Sequence, residues 1–145
     1  MKLTIAAVIA SVAAFPAFAG GHATGDAEAG EKAFRQCKAC HMIADADGNE
    51  IMKGGKTGPN LFGVPGRTAG SGDFKYKKSI VEAGEGGLVW DEASFVAYVQ
   101  DPTAYLKEVT GDDKARSGMA FKVRKEEDAV NLWAYIASVS PEPES

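Results

Sequence analysis

The hydrophobic positions in the last part of the chain recur at helical spacing. Residues 126–139 place their apolar side chains on one stripe of a helix of about 3.6 residues per turn, and Pro141 stands just beyond them. The stripe consists of Ala129, Leu132, Trp133, Ile136 and Val139. This pattern predicts a well-defined helix that ends before the proline.

Three shorter helices are predicted between residues 76 and 111. One covers residues 76–83 and is stopped by the glycines that follow it. The next begins after Asp91, which can cap it, and it must end before Pro102. Asp101 and Pro102 are then suited to be the N-cap and first-turn proline of a further helix, which Gly111 closes.

The region before these helices is predicted to be mostly irregular. Asp26 can cap a first helix, whose apolar residues recur at helical spacing as far as Cys37. Residues 42–73 contain eight glycines and two prolines with little periodicity, so we expect a loop there. No two segments alternate in the way that a sheet requires, and the predicted fold class is therefore all-α, with short helices and long loops.

The N-terminal segment has the pattern of an export signal. Lys2 precedes an apolar run, Pro16 interrupts the run, and small residues at 17 and 19 form a cleavage site. We expect residues 1–19 to be cleaved, leaving a domain of residues 20–145 in the periplasm, with a frayed tail at 141–145. A retained membrane anchor is the alternative, which a run shorter than about 20 residues disfavours.

Composition limits what kind of protein this can be. The chain has 145 residues and a formal net charge of −4, which fits one domain and excludes a polytopic membrane protein. Leu, Ile, Val and Phe together number only 22 in residues 20–145, a share below the 20% or so that a well-filled core needs. We therefore predict that something other than protein completes the core.

The only two cysteines lie in the run Cys37-Lys38-Ala39-Cys40-His41. On a helix the two thiols fall roughly 60° apart, and His41 lies one turn beyond Cys37 on the same face. This is the attachment signature of a c-type haem, with two thioether bonds and an imidazole on the iron. A disulfide, a thioredoxin-like motif and a zinc site are alternatives, but no βαβ pattern is visible and the only other histidine is His22.

A sixth iron ligand is sought among the methionines. Met42 follows His41 directly and cannot reach the opposite haem face. Met52 lies in a glycine-rich loop eleven residues after His41, whereas Met119 lies far along the chain between a glycine and a small residue. We favour Met119 as the ligand and keep Met52 as the alternative.

With these residues placed, residues 25–139 resemble a class I cytochrome c, and most of all the bacterial cytochrome c2 group. The resemblance implies the cytochrome c fold, wrapped around one haem c attached through Cys37 and Cys40. The motifs that carry it are Gly25-Asp26, Gly30 and Phe34 before the haem motif; Thr57-Gly58-Pro59-Asn60-Leu61, Gly63 and Gly66-Arg67; Trp90; Tyr98, Asp101-Pro102 and Tyr105; Met119 and Phe121; and Leu132 with Tyr135.

The resemblance also implies roles for residues around the haem. The Pro59 carbonyl should accept the Nδ1–H of His41 and so orient the imidazole. Tyr98 should lie on the Met119 side and hydrogen-bond near the sulfur. The remaining expectations are that the haem propionates are surrounded by Arg67, Tyr76 and Trp90, and that the haem edge is packed by Phe121.

Other expectations concern the fold and where it departs from the relatives. Gly30 should let the first helix cross the last near Tyr135, with Phe34 in the same contact. The loop between His41 and Thr57 and the segment 109–117 are longer than in mitochondrial relatives. Ile80 stands where the relatives often carry a buried polar side chain near the haem.

Two protein ligands would fill both axial positions of the iron, which favours a high-potential one-electron carrier. A haem enzyme or ligand-binding cytochrome with a labile sixth ligand, similar to a peroxidase, is the alternative. By resemblance the electron donor would be a cytochrome bc1 complex, and the acceptor a photosynthetic reaction centre or a terminal cytochrome oxidase. We expect a monomer that binds no nucleic acid and meets the membrane only through these partners.

Charge is segregated along the chain. Residues 26–50 hold six acidic side chains, whereas residues 107–125 hold six basic and three acidic ones around Met119. Lys75, Lys77 and Lys78 can join the second group. We expect a basic docking surface that steers acidic partners, with a mixed solvated surface as the alternative.

Overall fold

The computed structural model describes residues 23–142, so the expected signal peptide at 1–19 and residues 143–145 of the tail lie outside the described residues. Five α-helices and one two-stranded sheet follow in chain order. They are α1 Ala27–Ala33, β1 Ile43–Ala44, β2 Glu50–Met52, α2 Lys78–Glu85, α3 Glu92–Gln100, α4 Pro102–Thr110 and α5 Glu126–Val139. The predicted bounds of α5 are confirmed.

The ends of α3 and α4 are fixed by local capping, as predicted. The Asp91 carboxylate accepts the Ser94 N–H at 2.8 Å, and the Ser94 hydroxyl accepts the Asp91 N–H at 2.9 Å. The Asp101 side chain caps α4 by accepting the Ala104 N–H, and Pro102 lies in the first turn of this helix. Gly111 ends α4 in the left-handed conformation, with φ 66°.

The prediction that residues 42–73 form only loop was wrong for one short segment. Strands β1 and β2 form an antiparallel hairpin. Its turn is closed by Asp45, whose side chain accepts the N–H groups of Asp47 and Asn49 at 3.0 and 2.9 Å, and by Gly48 at φ 85°. A hairpin this short has too few residues to show alternation, which is why the pattern missed it.

Two helix boundaries also differ from the prediction. The first α-helix ends at Ala33, and a 3₁₀ helix, Phe34–Gln36, carries the chain to the cysteine pair. Helix α2 begins at Lys78, two residues later than predicted, and ends at Glu85. Helix ends commonly shift by such amounts because terminal turns can tighten to 3₁₀ geometry.

Helices α1 and α5 cross at Gly30, as the resemblance implied. A Cβ at this position would overlap the Asn131 carbonyl oxygen and lie 2.8 Å from Tyr135 Cβ. The Phe34 and Tyr135 rings meet edge to face with centroids 5.9 Å apart. The missing side chain therefore lets two helix backbones touch, and this crossing holds the N-terminal part of the domain against α5.

The stripe of α5 predicted from the sequence faces the core. Trp133 is 1% exposed and packs on Phe95 of α3, with ring centroids 5.3 Å apart. Among the described residues no polar or charged side chain is buried. No helix in residues 23–142 is long and apolar enough to cross a membrane.

Candidate functional site

One tight turn brings both cysteines and His41 together. The Cys37 N–H donates to the Phe34 carbonyl at 2.8 Å, which continues the 3₁₀ helix into the turn. The Cys37 carbonyl then accepts the N–H groups of Cys40 at 3.1 Å and His41 at 2.9 Å. Neither cysteine is in a disulfide. The turn thus presents two free thiols and an imidazole within five consecutive residues.

The environment of the Cys37 thiol argues against a redox-active cysteine pair. Burial, with a smaller contribution from the nearby Cys40, raises the pKa of Cys37 to about 12. Thiols that act as redox nucleophiles have a lowered pKa instead, because the thiolate is the reactive form. In the described part of the chain no group of three His, Cys, Asp or Glu side chains is placed to hold a metal ion.

The imidazole of His41 is oriented by the chain that follows it. Its Nδ1 lies 2.8 Å from the Pro59 carbonyl oxygen. A carbonyl only accepts, so Nδ1 must carry the proton and Nε2 keeps its lone pair. Burial lowers the pKa of His41, and the Pro59 carbonyl opposes that effect only in part. His41 is therefore a neutral imidazole whose Nε2 is ready to bind a metal.

The approach of Pro59 to the imidazole depends on the residue before it. A Cβ on Gly58 would lie 2.5 Å from His41 Cε1 and 2.8 Å from Nδ1. The Gly58 N–H also donates to the Cys40 carbonyl at 2.8 Å. Glycine is thus required at position 58 for residues 57–60 to lie this close to the imidazole ring.

A cavity next to Pro59 contains two of the residues assigned by resemblance to the propionates. The Arg67 guanidinium donates to the carbonyls of Phe62 at 3.3 Å and Asn60 at 3.5 Å. A guanidinium beside a phenol is suited to bind carboxylate groups. The cavity is lined by Pro59, Asn60, Arg67, Gly72, Asp73 and Tyr76.

Trp90 is attached to the same segment but does not line this cavity. The backbone N–H of Trp90 donates to the Arg67 carbonyl at 3.0 Å, and the backbone carbonyl of Trp90 accepts the Gly66 N–H at 2.9 Å. The indole is 8% exposed and lies edge to face on Tyr98, with centroids 5.1 Å apart. Trp90 therefore links the Arg67 segment to α3.

On the Met119 side, the Tyr98 hydroxyl meets a residue that the sequence did not point to. It lies 3.0 Å from Ser117 Oγ, which also accepts the Met119 N–H at 3.0 Å. We expected Tyr98 to hydrogen-bond near the sulfur, and the structure gives the serine hydroxyl as its partner. Burial raises the pKa of Tyr98, so its hydroxyl is protonated at neutral pH.

Met52 and Met119 lie in different parts of the fold. Met52 pairs with Ile43 in the hairpin, and Ile43 is only two residues after His41. Met119 lies in the loop between α4 and α5 and is linked through Ser117 to α3. Both side chains are half-buried against the core. Met52 thus belongs to the segment that carries His41, whereas Met119 approaches from another one.

Two lysines lie beside the Met119 loop. A Cβ on Gly118 would lie 2.9 Å from Lys77 Cγ, so a lysine preceding α2 covers this loop. Phe121 is 45% exposed, and Lys122 is paired with Asp101 at 2.6 Å. One lysine from a separate segment therefore contacts the Met119 loop, and the lysine that follows the loop is paired with an aspartate.

Comparison with known proteins places the chain in a class. The family model for cytochrome c matches residues 27–140. The chain belongs to the cytochrome c family, whose members are electron carriers with covalently bound haem c. The free thiols of Cys37 and Cys40 on one turn, beside the Nε2 lone pair of His41, fit such a haem attached through both cysteines.

Several of the relatives that this chain is similar to are cytochromes c2. Cytochrome c2 of Cereibacter sphaeroides is 53% identical, with 99% of this chain and all of the relative covered. That of Rhodobacter capsulatus is 54% identical over 96% of this chain and 97% of the relative. The crystal structure of Rhodobacter sphaeroides cytochrome c2 aligns with a TM-score of 0.80 at 57% identity, covering 82% of this chain and 99% of that one.

Proposed function

We propose that the protein is a periplasmic one-electron carrier whose haem iron is held between His41 Nε2 and the Met119 thioether. The observation that carries this proposal is the 2.8 Å contact between His41 Nδ1 and the Pro59 carbonyl. It fixes the tautomer and leaves Nε2 as the free donor. The haem, when bound, supplies reversible one-electron exchange at its iron.

The choice of Met119 rests on where the two candidate thioethers are attached. If a second protein ligand binds the iron, we expect it to come from a segment other than the one that carries the imidazole. Met52 is paired into the hairpin that begins two residues after His41, whereas Met119 is tied to α3 through Ser117 and Tyr98. A methionine opposite a histidine raises the reduction potential.

We further propose that the protein is not an enzyme. Two protein ligands would leave no position on the iron for a substrate. Arg67 and Tyr76 would bind the haem propionates in their cavity, Trp90 would support Arg67, and the exposed Phe121 would border the haem edge.

The partners we propose are membrane complexes at the periplasmic surface. The donor is a cytochrome bc1 complex, and the acceptor is a photosynthetic reaction centre or a terminal oxidase. The excess of basic over acidic side chains in residues 107–125, with Lys77 beside the Met119 loop, supports docking to acidic partner surfaces, because complementary charge accelerates encounter. Residues 1–19 would direct export and then be cleaved, which leaves residues 20–145 as the mature domain.

Replacement of Met119 tests the proposal. Met119→Ala should lower the reduction potential by roughly 0.1–0.3 V, since axial ligands tune haem potentials over about 0.8 V. The iron should also become open to added cyanide or carbon monoxide. Met52→Ala is the matched control and should leave the potential and the closed iron unchanged. If Met52→Ala has these effects and Met119→Ala does not, the assigned ligand is wrong.

A further inference from the structure

The loop that carries Met119 is attached to the rest of the protein by side-chain hydroxyl groups. The Arg116 N–H donates to Ser79 Oγ at 3.1 Å. The Ser117 N–H donates to Thr103 Oγ1 at 3.2 Å, and the Met119 N–H donates to Ser117 Oγ at 3.0 Å. In the described part of the chain no backbone carbonyl accepts from these three N–H groups.

The three hydroxyl groups tie the loop to three helices. Ser79 lies on α2 and Thr103 on α4. Ser117 is joined to α3 through the Tyr98 hydroxyl, 3.0 Å away. Regular backbone pairing returns at Val123, whose N–H donates to a carbonyl of α3 at 2.8 Å. The segment around Met119 therefore depends on side chains for its position.

A loop without backbone pairing opens at a lower free energy than the helices around it. We propose that Ser79, Thr103 and Ser117 are positioning residues, a hydroxyl clamp that sets how readily the Met119 thioether leaves the iron. The inference rests on the proposed function for the identity of the ligand. The clamp itself is a property of the loop backbone and can be measured separately.

Amide hydrogen exchange in the unaltered holoprotein tests the clamp directly. The N–H groups of Arg116, Ser117 and Met119 should exchange at least about tenfold more slowly than those of Gly118 and Ala120, for which residues 23–142 offer no acceptor. Protection that alternates along one short loop is the signature of side-chain anchors. Equal rates at all five amides would overturn the clamp.

Removal of each hydroxyl tests its effect on the ligand. Imidazole is added to the ferric holoprotein, and the rate of its binding to the iron is followed by absorption. Ser79→Ala and Thr103→Val should each speed binding about fivefold, the usual effect of one lost hydrogen bond. Ser117→Ala should have a larger effect because it also leaves the Tyr98 hydroxyl without its partner. Ser117→Thr keeps a hydroxyl and should restore the slow rate.

The control is Ser138→Ala on α5, where the serine hydroxyl donates to the Tyr135 carbonyl at 2.7 Å. It removes a serine hydroxyl bonded to the backbone away from the loop, here as donor and not as acceptor, and should leave the imidazole rate unchanged. If Met119→Ala opens the iron but the clamp variants bind imidazole at the unaltered rate, the clamp is wrong and the proposed function stands. If Met119→Ala does not open the iron, the proposed function fails, whatever the exchange pattern shows. If a clamp variant does not fold, the exchange pattern of the unaltered protein decides whether the hydroxyl clamp exists.

Discussion

Substitution of Gly30 by alanine should destabilise the domain strongly. The added Cβ would overlap the Asn131 carbonyl oxygen and lie 2.6 Å from its carbon and 2.8 Å from Tyr135 Cβ. Ordinary carbon contacts are about 3.5–4.0 Å long. Because the colliding atoms belong mostly to the backbone of α5, no rotamer change relieves the overlap, and α1 must move away from α5.

The size of the effect follows from what this movement breaks. Overpacking at a rigid contact costs about 3 kcal/mol at the upper end of its usual range. Separation also strains the bond from the Asp26 N–H to Asn131 Oδ1 at 2.8 Å, worth about 1 kcal/mol. The better helix propensity of alanine returns about 1 kcal/mol. We expect a net loss of about 3 kcal/mol in the free energy of unfolding.

The assay is equilibrium denaturation of the holoprotein, followed by circular dichroism. Gly86→Ala is the matched control, because Gly86 ends α2 at φ −76° and a Cβ there would meet only atoms of its own helix, at 3.3 and 3.4 Å. That variant should stay within about 1 kcal/mol of the unaltered protein. A loss of less than about 1 kcal/mol for Gly30→Ala would refute the close crossing of α1 and α5.

Two further predictions concern the haem and the docking surface. Cys37→Ala or Cys40→Ala should leave at most one thioether bond, so that one haem vinyl group stays unsaturated and the absorption of the pyridine haemochrome moves to longer wavelength; an unmoved absorption in either variant would contradict the attachment through both cysteines. Lys114 and Lys125 have no ion pair among the described residues. Reversal of both to glutamate should slow second-order electron transfer to an acidic partner about tenfold at low salt and flatten its salt dependence. The control reverses two lysines outside the Met119 surface, Lys32 and Lys53; stopped-flow rates that fall equally for both pairs would mean that only net charge matters.

Local signals in the sequence predicted most of the helices. Asp91, Asp101, Pro102 and Gly111 act within their own turns, so the bounds of α3 and α4 follow from neighbouring residues alone. The apolar stripe of α5 is equally local. The β hairpin was missed because its strands hold two and three residues, and its turn depends on the Asp45 side chain.

The functional site could be predicted only in part, for the same reason. The cysteine pair and His41 lie within five consecutive residues, and the contact of His41 with Pro59 followed from a family resemblance. The hydroxyl clamp had no sequence signal, because isolated serines and threonines are common and Ser79 is 37 residues away from Arg116. Such long-range partners become visible only once the helices are packed.

The most direct test of the central claim is a carbon-13 NMR spectrum of the ferrous holoprotein with labelled methionine methyl groups. Residues 20–145 contain three methionines, Met42, Met52 and Met119. The methyl group of a methionine whose sulfur binds the iron would lie close to the haem and be strongly shielded by its ring current. We predict one strongly shielded methyl resonance, absent from Met119→Leu and present in Met52→Leu. A shielded resonance that disappears in Met52→Leu, or no shielded resonance at all, would contradict an iron held between His41 and Met119.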